Sequence, residues 1–375
     1  MNMKNKKRYF MPSFHAVSGF TLIELLVAAA LSMIVLIAAG SGFAVTQRLS
    51  SVANARLQVQ QDLRNASNMI VRDARMAGFF GCFNLAKQSL ADEKVVVNDY
   101  GRYRNTTYTS HENLDDLIFK NQQNQGIKVF SAAEIGNKLG RGFAVAANTD
   151  VLLFTYGVGS GNADVSGTAF NVATADNDEL AELSGQQNAP LITSTCSSLE
   201  RFGQSGKSYN SGKSYNSGKL AITGLSNTAL NKKNATVFRQ AVNVYAIGTP
   251  AGGTKGLYLF QLNADGTMGD PQLLLSRVDN WNISFGYYAS ADACSQGKDD
   301  AAITFEDEIR KGENAPSPVL LRIKLNGSGS NLDLKAGKAS NNSTSDVQSY
   351  FITATVRAGA LCANRNIQQD VSLKP

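Results

Sequence analysis

The sequence predicts an α+β fold, in which one long N-terminal helix packs on a C-terminal antiparallel β domain. An apolar run without a charged residue extends from Leu25 to Gln47, and apolar residues then return every three or four positions as far as Ala77. This period is typical of an amphipathic helix. Beyond Cys82 the chain changes to short β-branched and aromatic segments separated by turn residues, which is the pattern of strands.

The apolar run is long enough to cross a membrane, because about 20 apolar residues span the hydrocarbon core as a helix. Four basic residues precede it: Lys4, Lys6, Lys7 and Arg8. Positive residues stay on the cytoplasmic side, so we expect a single-pass inner-membrane helix with a cytoplasmic N-terminus and a periplasmic globular domain. One carboxylate, Glu24, lies just before this charge-free run, inside the wider apolar stretch that begins at Phe20. A charge at this depth is costly in lipid and usually marks a function.

The nine residues from Gly19 to Val27, GFTLIELLV, resemble the class III signal of type IV prepilins and pseudopilins. This resemblance implies that a prepilin peptidase in the membrane cuts after Gly19 and methylates the new N-terminal residue, Phe20. An ordinary secretory signal is the alternative, with small residues after its apolar core. The segment Ala38-Ala39-Gly40 fits such a cleavage site loosely.

The predicted processing suggests a role for Glu24 in assembly and register. A carboxylate among apolar helices needs a cation, or it must become protonated. Cleavage after Gly19 creates a new α-amino group on Phe20, and the amine of a neighbouring subunit is the available cation. A polar pair in an apolar interface can specify register even where it adds little stability.

The chain divides, on this interpretation, into four segments. They are the cleaved leader 1–19, the transmembrane and assembly half of the helix 20–45, its amphipathic half 46–78, and a β-rich globular domain 79–375. Gly78 is the predicted helix stop, because glycine readily takes the left-handed cap conformation. Gly40 and Gly42 are the predicted weak point of the helix. Mobile loops are predicted near 204–219, which repeats a Ser-Gly-Lys-Ser-Tyr-Asn hexad, and near 327–346.

The end of the predicted helix carries a second resemblance. Residues 72–82, RDARMAGFFGC, are similar to the helix end of PilW-type minor pilins, and the later segments LLSRVDNWNISFGYY and TATVRAGALCANRN follow the layout of PilW and of J-type pseudopilins. The resemblance implies a minor pilin that primes or caps assembly of a type IV pilus, located at its tip. Its implied partners are the prepilin peptidase, other minor pilins, the major pilin and the inner-membrane platform of the assembly machine.

The four cysteines lie beyond the apolar run, at Cys82, Cys196, Cys294 and Cys362. An even number in an oxidising compartment predicts two disulfides, with three connectivities open. We prefer Cys82–Cys196 with Cys294–Cys362, which pairs cysteines within each half, although the spacings decide nothing.

We expect no enzymatic activity, no cofactor and no metal site. His15 lies in the leader, and His111 has no recognisable nucleophile motif near it. The acidic segments 176–179 and 299–300 lack the ligand spacing of a calcium loop. The formal net charge is +6, but four basic residues belong to the leader, so the mature chain carries +2 without a dense basic cluster. Contact with nucleic acid is therefore expected only indirectly.

Two alternatives to a priming minor pilin stay open. A J-type pseudopilin of type II secretion would share the same anchor and the same assembly chemistry. A pilus-tip module would instead bind a surface or DNA through its β domain. The lysines and tyrosines of the hexad repeat are the candidate residues for an adhesive contact.

Overall fold

The computed structural model confirms an α+β, pilin-like fold. It describes residues 20–81, 83–84, 126–135, 138–140, 142–166, 169–173, 178–181, 190–194, 199–202, 214–216, 219–223, 236–276, 278–288, 303–310, 317–327 and 350–356. The described helices are α1 (Leu22–Met76), α2 (Ala132–Ile135) and α3 (Asp178–Ala181). The described strands are β1 (Phe79–Phe80), β2 (Phe83–Asn84), β3 (Ile127–Ser131), β4 (Ala144–Val145), β5 (Asp150–Ser166), β6 (Ala169–Ala173), β7 (Leu191–Ser194), β8 (Leu199–Phe202), β9 (Ser214–Asn216), β10 (Lys219–Thr223), β11 (Thr236–Thr249), β12 (Gly256–Gln261), β13 (Gln272–Ser276), β14 (Val278–Tyr288), β15 (Ile303–Glu306), β16 (Leu320–Gly327) and β17 (Tyr350–Thr355).

Helix α1 is continuous over 55 residues and passes through Gly40 and Gly42, the predicted weak point, without interruption. It ends at Met76, and Gly78 takes a φ of 74°, which confirms the predicted stop. The amide of Gly78 then donates to the carbonyl oxygen of Thr155 at 2.9 Å. Gly126 packs directly on this turn, since a Cβ at Gly126 would lie 1.8 Å from the Gly78 nitrogen.

The chain separates into two compact units, residues 1–57 and residues 58–375, with the boundary inside α1. In the first unit the structure describes the helical residues from Phe20 onward, and their large apolar side chains are exposed to solvent. The second unit contains the last turns of α1 and all the described strands.

Eleven of the described strands form one antiparallel sheet in the second unit. Its main path runs β13-β12-β11-β5-β6-β10-β9, while β3 pairs with β5, β4 and β7 pair with β11, and β8 pairs with β7. The long central strands β11 and β5 pair from Thr236 opposite Asn162 to Tyr245 opposite Leu152, with one register shift between Phe238 and Arg239. A second antiparallel sheet has the order β15-β14-β16-β17, and β1 and β2 form a small hairpin.

The large sheet is buried on both faces along β11, where residues 242–248 are buried without interruption. One face, with Tyr245 and Ile247, joins the last turns of α1 and the inner face of the four-stranded sheet in the main core. The other face, with Val244 and Ala246, packs with α2 in a smaller cluster. Trp281 on β14 links the two sheets, since its indole nitrogen donates to the carbonyl oxygen of Asp150 at 2.8 Å.

The predicted loops are only partly described. Within the loop predicted at 204–219, Ser214–Asn216 forms strand β9 and pairs with β10, so this part of the hexad repeat is strand rather than loop. Residues 328–346 of the second predicted loop lie outside the described residues.

Candidate functional site

The predicted processing site lies at the very start of the described chain. Phe20 precedes the helix and is 82% exposed, and Gly19 falls outside the described residues. Helix α1 begins two residues later, with Thr21 at its cap: the carbonyl oxygen of Thr21 accepts hydrogen bonds from the amides of Glu24 (3.1 Å) and Leu25 (3.2 Å). Phe20, the residue after the predicted cut, therefore lies two residues before the first residue of α1.

Glu24 occupies the first turn of α1, where the helix dipole favours a negative charge. Its carboxylate accepts the Thr21 amide at 3.5 Å and the Thr21 hydroxyl at 3.4 Å. Both distances are at the outer limit for a hydrogen bond, so these contacts are weak. The local chain thus holds the carboxylate near the helix start without neutralising it.

The residues that follow Glu24 form a candidate membrane span. Leu22–Ser51 has a mean hydropathy of 2.6, and none of the most apolar part is buried against the rest of the chain. Large side chains such as Leu31, Ile34 and Phe43 are more than half exposed. Apolar surface of this extent in a single helix must be covered by lipid or by other helices.

A second cluster, the Asp73 cluster, lies in the second unit near the end of α1. Asp73 is completely buried and accepts hydrogen bonds from Tyr156 Oη (2.9 Å), Asn243 Nδ2 (2.6 Å) and Tyr245 Oη (2.5 Å). The guanidinium of Arg72 approaches the same carboxylate at 3.0 Å from a side chain that is 57% exposed. Three neutral donors and one cation therefore satisfy a charge on the apolar stripe of the helix.

The electrostatics of the Asp73 cluster keep the hydroxyls of Tyr156 and Tyr245 protonated, so that both can donate hydrogen bonds to Asp73. Burial, reinforced by the neighbouring Asp73 charge, raises the pKa of Tyr156 and of Tyr245 well above the ordinary value for tyrosine. Both hydroxyls consequently stay protonated and keep donating. The cluster joins α1 to the central strands β5 and β11, so it fixes the helix against the sheet within this unit.

The sequence contained a signal for Asp73, although we expected no function for it. Ala66, Ile70, Asp73 and Ala77 recur at helical spacing, and all four are buried on one face of α1. A carboxylate in such a stripe requires donors from elsewhere in the chain. The pattern around it is instead typical of a helix C-terminus, where cations such as Arg72 and Arg75 are favourable.

Several predicted residues cannot be compared with the structure. Cys82, Cys196, Cys294, Cys362 and His111 lie outside the described residues, so both disulfides stay predictions. Among the residues that the structure does describe, no group of three or more histidine, cysteine, aspartate or glutamate side chains could hold a metal ion. The glycine-rich segment 157–161 forms part of strand β5.

Comparison with known proteins identifies the N-terminal signal. Residues 15–40 match the family model described as the prokaryotic N-terminal methylation motif. No curated protein and no solved structure matches the chain significantly. The matched segment includes Gly19, Phe20 and Glu24, and it supports a type IV pilin or pseudopilin anchored by a single N-terminal helix.

Proposed function

We propose that this chain is a PilW-type minor pilin that primes or caps the assembly of a type IV pilus. The observation that carries the proposal is the methylation motif placed directly on an apolar helix whose side chains are left exposed. A signal of this class implies processing by a prepilin peptidase and assembly with other pilins. The helix then supplies the surface through which assembly occurs.

The exposed apolar side chains suggest how the chain enters a filament. Lipid covers the helix while the protein waits in the inner membrane, and neighbouring helices cover it after extraction, so the apolar surface is protected in both states. The platform protein of the assembly machine, other minor pilins and the major pilin are the proposed partners. The globular unit is proposed to face the periplasm and later the pilus tip.

Glu24 is the proposed register element of this assembly. Its contacts with Thr21 are weak, so a cation from another subunit can still bind it. The α-amino group of a cleaved, methylated Phe20 is the proposed cation, and the pairing would align successive helices along the filament axis.

The size of the second unit supports a minor rather than a major subunit. It contains an eleven-stranded sheet, a four-stranded sheet and two buried clusters. A domain of this kind fits the open tip of a filament better than the crowded shaft, where every subunit is surrounded by neighbours.

The first experiment is intact-mass and N-terminal analysis of the protein extracted from membranes. We expect a chain that begins at Phe20 and carries one added methyl group. A start after Ala39 or Gly40, or an uncleaved N-terminus, would contradict prepilin processing and remove the main support for the proposal.

A null strain then separates the pilus from type II secretion. A strain that lacks this chain is expected to lose surface pili while it still secretes type II substrates. Normal piliation with lost secretion would identify a J-type pseudopilin instead. Complementation with the wild-type gene is the control that assigns either phenotype to this chain.

A further inference from the structure

The four-stranded sheet presents one face to the main core and the opposite face to solvent. Its inner face is apolar, with Trp281, Ile283 and Phe285 on β14 and Leu321 and Ile323 on β16 all buried. The residues between these point outward and are exposed or half-buried. This outer face consists of Asn280, Asn282, Ser284, Phe305, Leu320, Arg322, Lys324, Asn326, Phe351, Thr353 and Thr355.

Two phenylalanines lie on the outer face, although most residues of this face are polar. Phe351 on the edge strand β17 is 58% exposed, and Phe305 on the opposite edge strand β15 is 36% exposed. Each is associated with a cation of the central strand β16. The guanidinium carbon of Arg322 lies 4.0 Å from the ring centroid of Phe305, and Lys324 Nζ lies 5.8 Å from that of Phe351.

The two cations of the outer face are left to bind an anion. Among the described residues, neither Arg322 nor Lys324 forms an ion pair with a carboxylate. One acidic residue, Asp307, lies just beyond β15 and accepts a hydrogen bond from the outer-face residue Ser284 at 3.2 Å. Arg322 and Lys324 are two residues apart on one strand, so their Cα atoms are separated by about 7 Å.

Polar donors complete the outer face. Asn326 Nδ2 donates to Asn280 Oδ1 at 2.8 Å and to Asn282 Oδ1 at 3.0 Å. These bonds orient the two acceptor amides, and the Nδ2 groups of Asn280 and Asn282 remain for a ligand. An asparagine amide can donate to and accept from the edge of a planar base.

We infer that this outer face binds single-stranded nucleic acid, with bases stacked at Phe351 and at the Arg322–Phe305 pair and with phosphates bound by Arg322 and Lys324. Sequence-tolerant binding of a single strand combines these two elements, since cations follow the backbone while aromatic and guanidinium planes receive the bases. The inference goes beyond the proposed function and does not depend on it, because it concerns only the second unit.

The chemistry of the face favours this ligand over other polyanions. The ring of Phe351 is open, because Lys324 approaches it loosely and most of its surface is exposed. A planar base can stack on such a ring, and the guanidinium above Phe305 offers a second planar surface. An acidic polysaccharide, or an acidic peptide without aromatic side chains, would use the cations but has no planar ring to stack on these two surfaces.

The experiment measures binding of a fluorescein-labelled oligothymidylate to the full-length mature chain in detergent micelles by fluorescence anisotropy, at several salt concentrations. The variants Phe351→Leu and Phe351→Tyr separate the aromatic ring from simple apolar surface. We expect Phe351→Leu to weaken binding about 5-fold or more and Phe351→Tyr to retain it, because stacking requires the ring. Since residue 351 is exposed, neither change disturbs the core.

A double variant tests the phosphate contacts through the salt dependence of binding, since replacing Arg322 also removes the planar group above Phe305. Arg322→Gln with Lys324→Gln is expected to reduce the slope of log affinity against log salt by about 1.4, because each phosphate contact on a single strand contributes about 0.7. Lys255→Gln is the matched control. It removes an exposed lysine that is paired with Asp279 and is not one of the outer-face residues, and it should leave affinity and slope unchanged.

Three outcomes would overturn the inference. They are no binding by the wild-type chain, unchanged binding by Phe351→Leu together with the double variant, and equal competition by polygalacturonate. Equal competition would identify a general polyanion surface in which stacking has no part. Piliation measured in the same strains keeps these outcomes distinct from failure of the proposed pilus function, which does not involve these residues.

Discussion

Helix α1 carries two carboxylates in opposite surroundings, Glu24 near its start and Asp73 near its end. Glu24 lies among exposed apolar side chains and has only two weak contacts, at 3.4 and 3.5 Å, both to the adjacent Thr21. Asp73 is fully buried, and three neutral side chains donate to it at 2.5–2.9 Å. Asp73 therefore has strong hydrogen-bond donors within the described part of its own chain, whereas Glu24 has weak ones.

This difference assigns the two carboxylates to different processes, Asp73 to folding of the globular unit and Glu24 to assembly with other molecules. The donors of Asp73 lie 83 to 172 residues further along the chain, so its charge is satisfied when the globular unit folds. The described part of the chain places no comparable set of donors around Glu24. If α1 enters an apolar environment, the cation for Glu24 must come from another molecule, or the carboxylate must take up a proton.

The largest expected effect is on assembly, at Glu24. Replacing it by valine, Glu24→Val, should leave membrane insertion intact and reduce incorporation into pili to background, because the carboxylate that binds the neighbouring amine is lost. Immunodetection of the chain in sheared pili and in membranes measures both. The variant Glu24→Gln should fail in the same way, since an amide cannot pair with a cation as a charge.

A matched control within the same helix sharpens this test. Ser32 donates only to the carbonyl oxygen of Ala28 in its own helix. The variant Ser32→Val therefore removes a polar group from the apolar run without touching an intersubunit pair, and it should be incorporated normally. Normal incorporation of Glu24→Val would contradict the register role.

The second largest effect is on folding, at Asp73. The variant Asp73→Leu removes the acceptor of both buried phenols and leaves Asn243 Nδ2 with its bond to Tyr156 Oη at 3.1 Å. It should lower the free energy of unfolding by about 3 kcal/mol or more. Urea unfolding of the full-length chain in detergent can be followed through Trp281, the single tryptophan, which is buried. The exposed pair Lys255–Asp279 provides the control, and Asp279→Asn should cost less than about 1 kcal/mol.

A double-variant cycle tests whether the cluster acts as a unit. In the wild-type background Tyr245→Phe removes a donor from a buried carboxylate and should be destabilising. In the Asp73→Leu background the same change removes an orphaned hydroxyl and should be neutral or stabilising. Equal costs in both backgrounds would contradict the coupling.

The local features of the fold could be predicted from the sequence. The helix stop at Gly78 depends on residues next to one another, and the structure confirms it. The turn residues Asn263-Ala264-Asp265-Gly266 form a turn in the same local way, with the Gly266 amide donating to the Asn263 carbonyl oxygen at 3.1 Å. The short apolar segments 236–238 and 242–247 are strand, as the pattern beyond Cys82 predicts, but both belong to β11. The polar residues Arg239 and Gln240 between them do not interrupt it, because Gln240 is buried and pairs with Gly157 in the ladder.

Features that depend on distant residues could not be predicted in the same way. Strand β3 was missed, because Lys128 at its second position is a residue that patterning assigns to the surface, whereas the strand is covered on that side. The outer face of the four-stranded sheet was missed for a similar reason. Phe305, Arg322 and Phe351 become neighbours only through strand pairing, so the linear sequence shows no basic or aromatic cluster.

The smallest expected effect concerns Lys128 and depends on pH. This side chain lies opposite Leu153 of the smaller core cluster, and burial lowers its pKa from 10.5 to about 7. Between these values the unfolded chain binds more protons than the folded chain. Stability should therefore rise with pH above 7, by up to about 1.4 kcal/mol per pH unit from this group.

The variant Lys128→Met isolates this contribution. It should flatten the rise between pH 7 and 9.5 relative to the wild type and should be more stable than the wild type at pH 7, because no buried ammonium has to lose its proton. Measurements stay below pH 10, since the raised pKa values of Tyr156 and Tyr245 remove stability above the ordinary tyrosine value. Lys255→Met, at an exposed lysine, should retain the wild-type rise, and an equal rise in Lys128→Met would show that Lys128 keeps its proton in the folded chain.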